Sequence, residues 1–380
     1  MFQEEMHTIL CDAVPFCFGP ISKMLTISEQ LSKKNRVSML VSGTSQNLAN
    51  KSHIDSLVEC NTEDINDLKK QEMRIKTSDL YINIMNPVSA KFVKQKNTPQ
   101  VQVDSLFWMW ETIPQEILES EIYFIQNFEG VEKQLTKYFD KIKNPQLVGP
   151  IVKDPQENIK RQNKLLINFG GLESASIKIG KNSNYPFTIA KLLEKIETQL
   201  DFDEILCVGN GKIMSQLQEK NKSTKIKYDF LGHDEFIQEL AMSKMLITSP
   251  GLTTSFEAFN SSTPTFFLPP QNYSQYWNLN GFKINGLAKE SINWDSYADL
   301  KIIENEEEIS GINKVLQGIK RFETDTNQQL KLADYLVNAT KSNGQELKKV
   351  SIKQKKYFNK LGGNGTPKII ESINNLLEMI

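Results

Sequence analysis

The stretch Met245–Leu268, MLITSPGLTTSFEAFNSSTPTFFL, contains the pattern from which the fold can be predicted. Its apolar start, Met245–Thr248, predicts a strand, and the Ser249–Gly251 turn leads into Thr253–Asn260, which has helical spacing of apolar residues. A second short apolar run, Thr265–Leu268, predicts the next strand. Strand, turn, helix and strand in so short a stretch are typical of a parallel sheet.

The same alternation runs along the whole chain and predicts α/β layers around mostly parallel sheets. The strand candidates of the first half are Thr8–Cys11, Val37–Val41, Leu80–Met85, Gln100–Val103 and Ile122–Gln126. The other strand candidates of the second half are Lys164–Phe169, Glu204–Val208 and Lys225–Tyr228. The other helix candidates are Ile21–Lys34, Phe187–Leu200, His233–Met242, Ile309–Phe322, Gln328–Asn338 and Thr366–Ile380. We therefore predict an α/β protein with two doubly wound, Rossmann-like domains.

The length of the chain and one proline-rich segment indicate where the domains divide. A chain of 380 residues is longer than one hydrophobic core usually serves. The segment Asn144–Asn163 contains three prolines and a glycine among polar residues, which predicts an interdomain linker. We expect a first domain over residues 1–150, a second over 151–365 and a closing helix over 366–380.

Composition excludes several classes of function. The net charge of −1 creates no field that would attract nucleic acid or an anionic membrane, so we expect no nucleic-acid partner. The four cysteines and three histidines lack the spacing of a metal site, so we expect reduced thiols and no metal. The chain shows neither a signal peptide nor an apolar run of about 20 residues. We expect a cytoplasmic protein without an integral membrane segment, although peripheral membrane contact stays open.

Hydroxyl side chains and a glycine occur together where the helix after Thr248 is predicted to begin. Gly251, Thr253 and Thr254 would present hydroxyls and backbone N–H groups to phosphate oxygens. Ligands of open α/β sheets bind outside the carboxyl ends of the strands, where this turn falls. Glu257, one turn further along, is a candidate acceptor for ribose hydroxyls. The same pattern also fits an ordinary capped helix, so the neighbouring residues decide between the two readings.

The next predicted strand is followed by the polar and aromatic segment Gln271–Asn278, which we expect to be a loop. Two consecutive strand ends then supply polar groups to one crevice, which is more than helix capping requires.

Taken together, Met245–Asn278 resembles the donor-site signature of GT-B glycosyltransferases, in particular the UDP-glycosyltransferase and UDP-N-acetylglucosamine transferase group. The positions that match are Gly251, Thr253, Thr254, Glu257, Pro264, Pro269, Gln275 and Asn278. The positions that differ are Ser249-Pro250 for His-Gly, Thr263 for the Gly before Pro264, and Ser274 for the Asp before Gln275. The fold implied is two Rossmann-like domains facing across a cleft, with the closing helix crossing back to the first domain.

The resemblance also implies roles for the donor side. Gly251, Thr253 and Thr254 would neutralise the leaving diphosphate, Glu257 would hold the ribose and Gln275 the donor sugar. Further donor-side candidates at strand ends are Gly170, Gly171, Gly209, Phe230, Gly232 and His233. The loop from Phe230 to His233 corresponds to the one that holds the base, although His233 could equally be a surface residue beside a helix cap.

In the first domain, Cys11–Lys23 resembles a loop that carries Gly-His in relatives, where the histidine is the acceptor base. Here Gly19-Pro20 replaces that pair, so catalysis would need another base. Asp12 and Asp104 are the candidate catalytic residues because both follow predicted strands; either could instead cap a turn.

The segment Asp104–Pro114 is rich in aromatic residues close to a strand end. We expect an acceptor pocket formed by aromatic rings and the first loop, since such rings suit sugars and planar molecules. The candidate acceptor-binding residues are Phe18, Gly19, Phe107, Trp108 and Trp110. A peripheral membrane patch and ordinary core packing are the alternatives for the same segment.

The function implied is metal-independent transfer of a sugar from a UDP- or dTDP-linked nucleotide sugar to a small-molecule acceptor. The nucleotide sugar would be a co-substrate, with no cofactor, and the protein a monomer or homodimer. The alternatives are a nucleotide-sugar hydrolase, an epimerase, and a catalytically silent partner protein of the same fold.

Overall fold

The computed structural model describes residues 6–50, 52, 54, 56–156, 159–174, 176–288, 290–304 and 306–380. The chain forms two compact units, one of Met1–Lys153 with Phe358–Ile380 and one of Asp154–Tyr357. Each unit contains a parallel β-sheet, which confirms the predicted class of two doubly wound α/β domains. The return to the first unit begins at Phe358, earlier than the expected boundary at residue 366.

The first unit is built on seven parallel strands. They are β1 Thr8–Ala13, β2 Arg36–Val41, β3 Ser56–Glu59, β4 Leu80–Ile84, β5 Gln100–Asp104, β6 Ile122–Gln126 and β7 Pro145–Val148. Its helices before the second unit are α1 Gly19–Leu31, α2 Gly43–Ala49, α3 Ile65–Lys70, α4 Glu72–Lys76, α5 Pro87–Lys94, α6 Gln115–Leu118 and α7 Val131–Tyr138. The strands lie in the order β3-β2-β1-β4-β5-β6-β7, so the order reverses between β1 and β4.

The second unit is built on five parallel strands. They are β8 Gln162–Gly170, β9 Glu204–Gly209, β10 Ile226–Asp229, β11 Ser243–Thr248 and β12 Thr265–Phe267. The remaining helices are α8 Tyr185–Ile196, α9 Gly211–Lys220, α10 His233–Met242, α11 Leu252–Asn260, α12 Tyr273–Ile284, α13 Glu308–Phe322, α14 Thr326–Thr340, α15 Gly344–Lys360 and α16 Thr366–Leu377. The strand order β10-β9-β8-β11-β12 reverses between β8 and β11.

Alternate side chains of β8 pack on opposite faces of the second sheet, so both faces are buried. Leu165 and Ile167 join the core formed with α8, α13 and α14. Leu166 joins a separate cluster with Leu240 of α10 and Ala258 of α11. A strand covered on both faces is a near-continuous apolar run, which is why this one was recognisable in the sequence.

No candidate was given for the helices α2 to α7 and α9, and four other elements differ from the sequence-based expectation. The edge strands β3 and β7 were not predicted because they are short and partly polar, and β7 lies inside the segment Asn144–Asn163 that we interpreted as a linker. The expected loop Gln271–Asn278 is wrong, since α12 begins at Tyr273. Helix α15 was also missed because its lysines mask a narrow apolar stripe.

The last segment of the chain packs on the first unit through backbone contacts between glycines. Gly365 N donates to Pro150 O at 2.8 Å, and the Thr366 hydroxyl donates to Val152 O at 3.1 Å. A Cβ placed on Gly149 would lie 2.1 Å from Gly363 O, so no side chain fits there. Helix α16 then packs against α1 and β7.

We expect Gly149→Ala to lower the free energy of unfolding by about 1–3 kcal/mol, because the added methyl group forces two backbone segments apart. Urea denaturation measures this change. Gly344→Ala is the matched control, since a Cβ there meets nothing within 4 Å. Equal stability of the two variants would contradict the close packing at Gly149.

Candidate functional site

The carboxyl ends of β8 and β11 meet at the point where the strand order of the second sheet reverses. Open α/β sheets bind ligands in the crevice outside such a point. Asn168 of β8 donates from Nδ2 to Thr254 Oγ1 on α11 at 3.0 Å and accepts from Gly170 N at 2.9 Å. Gly170 has a φ of +69°, a conformation that favours glycine. Asn168 therefore joins the end of β8 to the beginning of α11.

Helix α11 begins without a side-chain cap. Asn210 caps α9 and Asn272 caps α12 by accepting backbone N–H groups, whereas Gly251 at the cap of α11 has no side chain. The first N–H groups of a helix have no partner inside it and carry the positive end of the helix dipole. The start of α11, with Thr253 and Thr254, is thus suited to an anionic group.

The turn before α11 is held by side chains from α12. Asn278 Nδ2 donates to Pro250 O at 3.0 Å. Gln275, in the first turn of α12, accepts Gln271 N through Oε1 at 3.0 Å. Its Nε2 lies 3.9 Å from the position of a Cβ on Gly251. The structure therefore brings Gln275 beside the glycine of the turn.

Two buried side chains join α10 to α11. His233 Nε2 and Glu257 Oε1 lie 2.6 Å apart, and the side chains are 6% and 2% exposed. His233 is the first residue of α10 and is buried, so the alternative that places it on the surface is wrong. Glu257 follows Thr253 by one turn of α11, so the pair lies close to the start of that helix.

The ends of β8 and β9 approach closely through glycine. A Cβ on Gly209 would lie 3.0 Å from Gly170 O, and Asn210 Nδ2 donates to Gly171 O at 3.2 Å. The Phe230 ring, which is half-buried, packs on Gly211, where a Cβ would lie 3.1 Å from it. The predicted donor-side residues therefore all lie at the carboxyl edge of the second sheet.

Sequence reasoning missed Asn168 as a site residue. Its signal was present, since a polar residue in the apolar run Leu165–Phe169 directly before two glycines is unusual in a buried strand.

In the first unit, Asp12 is fully buried at the end of β1. Its Oδ2 accepts from Asn86 Nδ2 and from Ser89 Oγ, both at 2.8 Å. Asn86 caps α5, so the carboxyl group joins β1 to the start of that helix. Burial raises the pKa of Asp12 to about 7, against the lowering effect of hydrogen bonds from Ser89, Thr62 and Asn86.

Asp104 is also fully buried. It accepts three hydrogen bonds, from Leu106 N at 2.7 Å, Trp110 Nε1 at 2.6 Å and the Tyr123 hydroxyl at 2.8 Å. Burial raises the pKa of Asp104, while these bonds and the positive charge of Lys23 oppose the rise. A dissolved acceptor reaches neither Asp104 nor Asp12 in this structure, which therefore lends no support to either as the base.

The aromatic residues after Asp104 have different environments. Phe107 is fully buried against Tyr123 and Tyr138, so it belongs to the core rather than to a pocket. Trp108 packs beside Phe128 with ring centroids 6.2 Å apart. The other four predicted acceptor-side residues are half-buried; they are Phe18, Gly19, Trp108 and Trp110.

Within the described ranges, no group of three or more His, Cys, Asp and Glu side chains is placed to hold a metal ion. A search of the same residues finds no helix with the length and apolar character needed to cross a bilayer.

Comparison with known proteins identifies the architecture. No protein-family model and no curated protein sequence matches the chain. MurG from Acinetobacter baumannii superposes with a TM-score of 0.55 at 12% identity, over 97% of this chain and 99% of that one. The chain has the GT-B fold. HepE of Anabaena in complex with UDP-glucose gives 0.51 at 12% identity, over 98% of this chain and 100% of that one. A UGT of Arabidopsis thaliana with quercetin gives 0.51 at 10% identity, over 92% and 100%.

The raised pKa of Asp12 predicts a pH-dependent stability. The ordinary value is 3.8, so between about pH 4 and 7 the native protein holds a proton that the unfolded chain has released. Stability contributed by this group therefore falls as the pH rises through that window. We expect the free energy of unfolding of the wild type to fall by about 2–3 kcal/mol relative to Asp12→Asn between pH 5 and 8, since one pKa unit is about 1.4 kcal/mol. Urea denaturation at both pH values measures it; a constant difference would contradict the prediction.

Proposed function

We propose that this protein transfers a sugar from a nucleotide sugar, UDP- or dTDP-linked, to a small-molecule acceptor. The proposal depends chiefly on the uncapped start of α11 at the reversal of strand order, with Gly251, Thr253 and Thr254 around it. The backbone N–H groups, the hydroxyls and the dipole of α11 would stabilise the charge that develops on the leaving diphosphate.

The side chains around this point suit the other parts of such a donor. Glu257 has one oxygen engaged by His233, and its second oxygen accepts no hydrogen bond from a described residue. That oxygen would accept from a ribose hydroxyl. Gln275 beside Gly251 would contact the sugar, and the half-buried Phe230 would contact the base.

The solved structures with the same fold support the choice of donor. HepE of Anabaena was crystallised with UDP-glucose, and the Arabidopsis UGT was crystallised with quercetin. We propose a uridine nucleotide as the first donor to test. We also propose, as a second point, that the dipole of α11 replaces a divalent cation in the reaction. Equal turnover with and without a chelator would support the second point; loss of turnover that Mg²⁺ restores would contradict it.

Replacing both hydroxyls at the start of α11, in Thr253→Ala/Thr254→Ala, should weaken UDP binding at least about a hundredfold, since two hydrogen bonds to a charged group contribute about 1.5–3 kcal/mol each. Isothermal titration calorimetry measures the change. Ser261→Ala/Ser262→Ala removes two hydroxyls at the opposite end of the same helix and is the control. Unchanged affinity in the first variant would exclude this helix start as the diphosphate site.

A ribose contact at Glu257 predicts a specific loss. Glu257→Gln should bind UDP about tenfold more weakly and should distinguish UDP from 2′-deoxy-UDP less well, because a neutral amide oxygen accepts the hydroxyl more weakly than a carboxylate. Glu219→Gln on the exposed face of α9 should behave as the wild type. If Glu257→Gln keeps the full wild-type preference for UDP, Glu257 does not hold the ribose.

One observation favours a second candidate, a nucleotide-sugar-binding partner protein without transfer of its own. The two carboxylates expected to act as the base, Asp12 and Asp104, are both fully buried and both accept hydrogen bonds from neighbouring side chains. A thermal-shift screen of nucleotide sugars followed by assay of the bound one separates the candidates. Consumption with an acceptor supports transfer, free sugar without an acceptor indicates hydrolysis, and tight binding without consumption indicates the partner protein.

A further inference from the structure

Helix α15 has a strongly cationic exposed face that the proposed reaction does not use. Gly344–Lys360 contains six lysines and one acidic residue, Glu346, within a chain whose net charge is −1. Between Lys348 and Lys356, the exposed residues are four lysines and Ile352. We call these five residues, Lys348, Lys349, Ile352, Lys353 and Lys356, the cationic face.

Packing fixes the direction of this face. On the opposite side of α15, Gln354 donates from Nε2 to Thr265 O at 2.7 Å and accepts Thr265 N through Oε1 at 3.0 Å. Leu347 and Tyr357 are buried on the same side. This packing fixes the rotation of α15 about its axis, so the lysines of the cationic face point to solvent.

The charge of the cationic face is not balanced locally. Lys348, Lys349 and Lys356 form no ion pair with a described residue, and Lys353 donates to a neutral group, Gly286 O, at 2.8 Å. The nearby carboxylate of Asp154 acts on Lys355, which is half-buried and outside the face. Like charges spaced three or four residues apart on a helix repel each other, so an anionic surface that covers them is stabilising.

Ile352 indicates which kind of anionic surface the cationic face would contact. By helical spacing it lies in the middle of the face, between Lys348 and Lys356, and it is 56% exposed. The Lys353 bond to Gly286 also brings the end of α12 beside α15, and Ile284 there is 80% exposed. Apolar side chains among lysines suit the boundary between lipid headgroups and acyl chains. A single-stranded nucleic acid would instead favour aromatic side chains for base stacking, and the face contains none.

We propose that the cationic face of α15 is a docking surface for an anionic lipid bilayer. The lysines contact the headgroups and Ile352 enters the edge of the hydrocarbon layer. The attraction falls with salt because exposed charges are screened within about 10 Å at 0.1 M ionic strength. This proposal is independent of the proposed glycosyl transfer, since no residue of the face belongs to the nucleotide site.

Co-sedimentation with vesicles tests it on the full chain. We expect binding to phosphatidylglycerol–phosphatidylcholine vesicles, little binding to phosphatidylcholine alone, and release at high salt. Lys349→Glu/Lys356→Glu should lower the partition coefficient at least about tenfold, since each lysine near an anionic surface contributes about 1 kcal/mol. Lys320→Glu/Lys331→Glu, with the same change of charge on exposed positions of α13 and α14, is the control and should bind as the wild type.

Ile352→Ser separates a bilayer from a generic polyanion. It should weaken vesicle binding severalfold but leave heparin binding unchanged, because heparin has no apolar phase. Unchanged thermal unfolding would show that each variant is folded. Equal binding of wild type and the α15 double variant to anionic vesicles, or tighter binding of a single-stranded RNA than of vesicles, would overturn the proposal.

Discussion

The hydrogen bond from Asn168 to Thr254 joins the end of the first strand of the second unit to the first turn of α11. The geometry of the candidate site depends on it, because the two elements lie on either side of the reversal in strand order. With α11 held at this point, Gly251 meets Gln275, and Glu257 lies one turn behind the hydroxyls. Asn168 also accepts Gly170 N, so one amide orients both the glycine turn and the helix start.

The contact between His233 and Glu257 explains how a carboxylate can be buried one turn into α11. Removing a carboxylate from water is costly unless charged or hydrogen-bonded partners replace the water. His233 supplies one partner and leaves the second oxygen without one among the described residues. In the proposed site a ribose hydroxyl would complete the arrangement, and the burial of Glu257 would then favour a ligand with a hydroxyl over one without it.

The first unit uses similar residues for a different purpose. Asp12, Asn83, Gln102 and Tyr123 occupy paired positions on four adjacent strands, and all are buried. Their carboxyl, amide and phenol groups lie on one face of the sheet because paired residues of parallel strands point to the same side. Asp12 thus joins a buried polar layer that connects the sheet to α5, instead of facing a ligand. On α15, by contrast, packing of one side of the helix leaves the lysines of the other side exposed to solvent.

The sequence by itself determined the α/β class, most of the buried strands and the start of α11. Their signals are local, because an apolar run followed by glycine and hydroxyl residues has few other structural solutions. The sequence did not predict edge strand β7 because it is short, and it did not predict helix α15 because its lysines mask the apolar pattern.

Only the tertiary structure decided the environment of each polar side chain. Asp12 and Asp104 follow strands in the same way as the donor-side residues, yet they are sequestered, while His233 meets a carboxylate 24 positions away. A hydrogen bond or a buried charge depends on partners distant in the chain, and their approach is set by sheet order and helix packing.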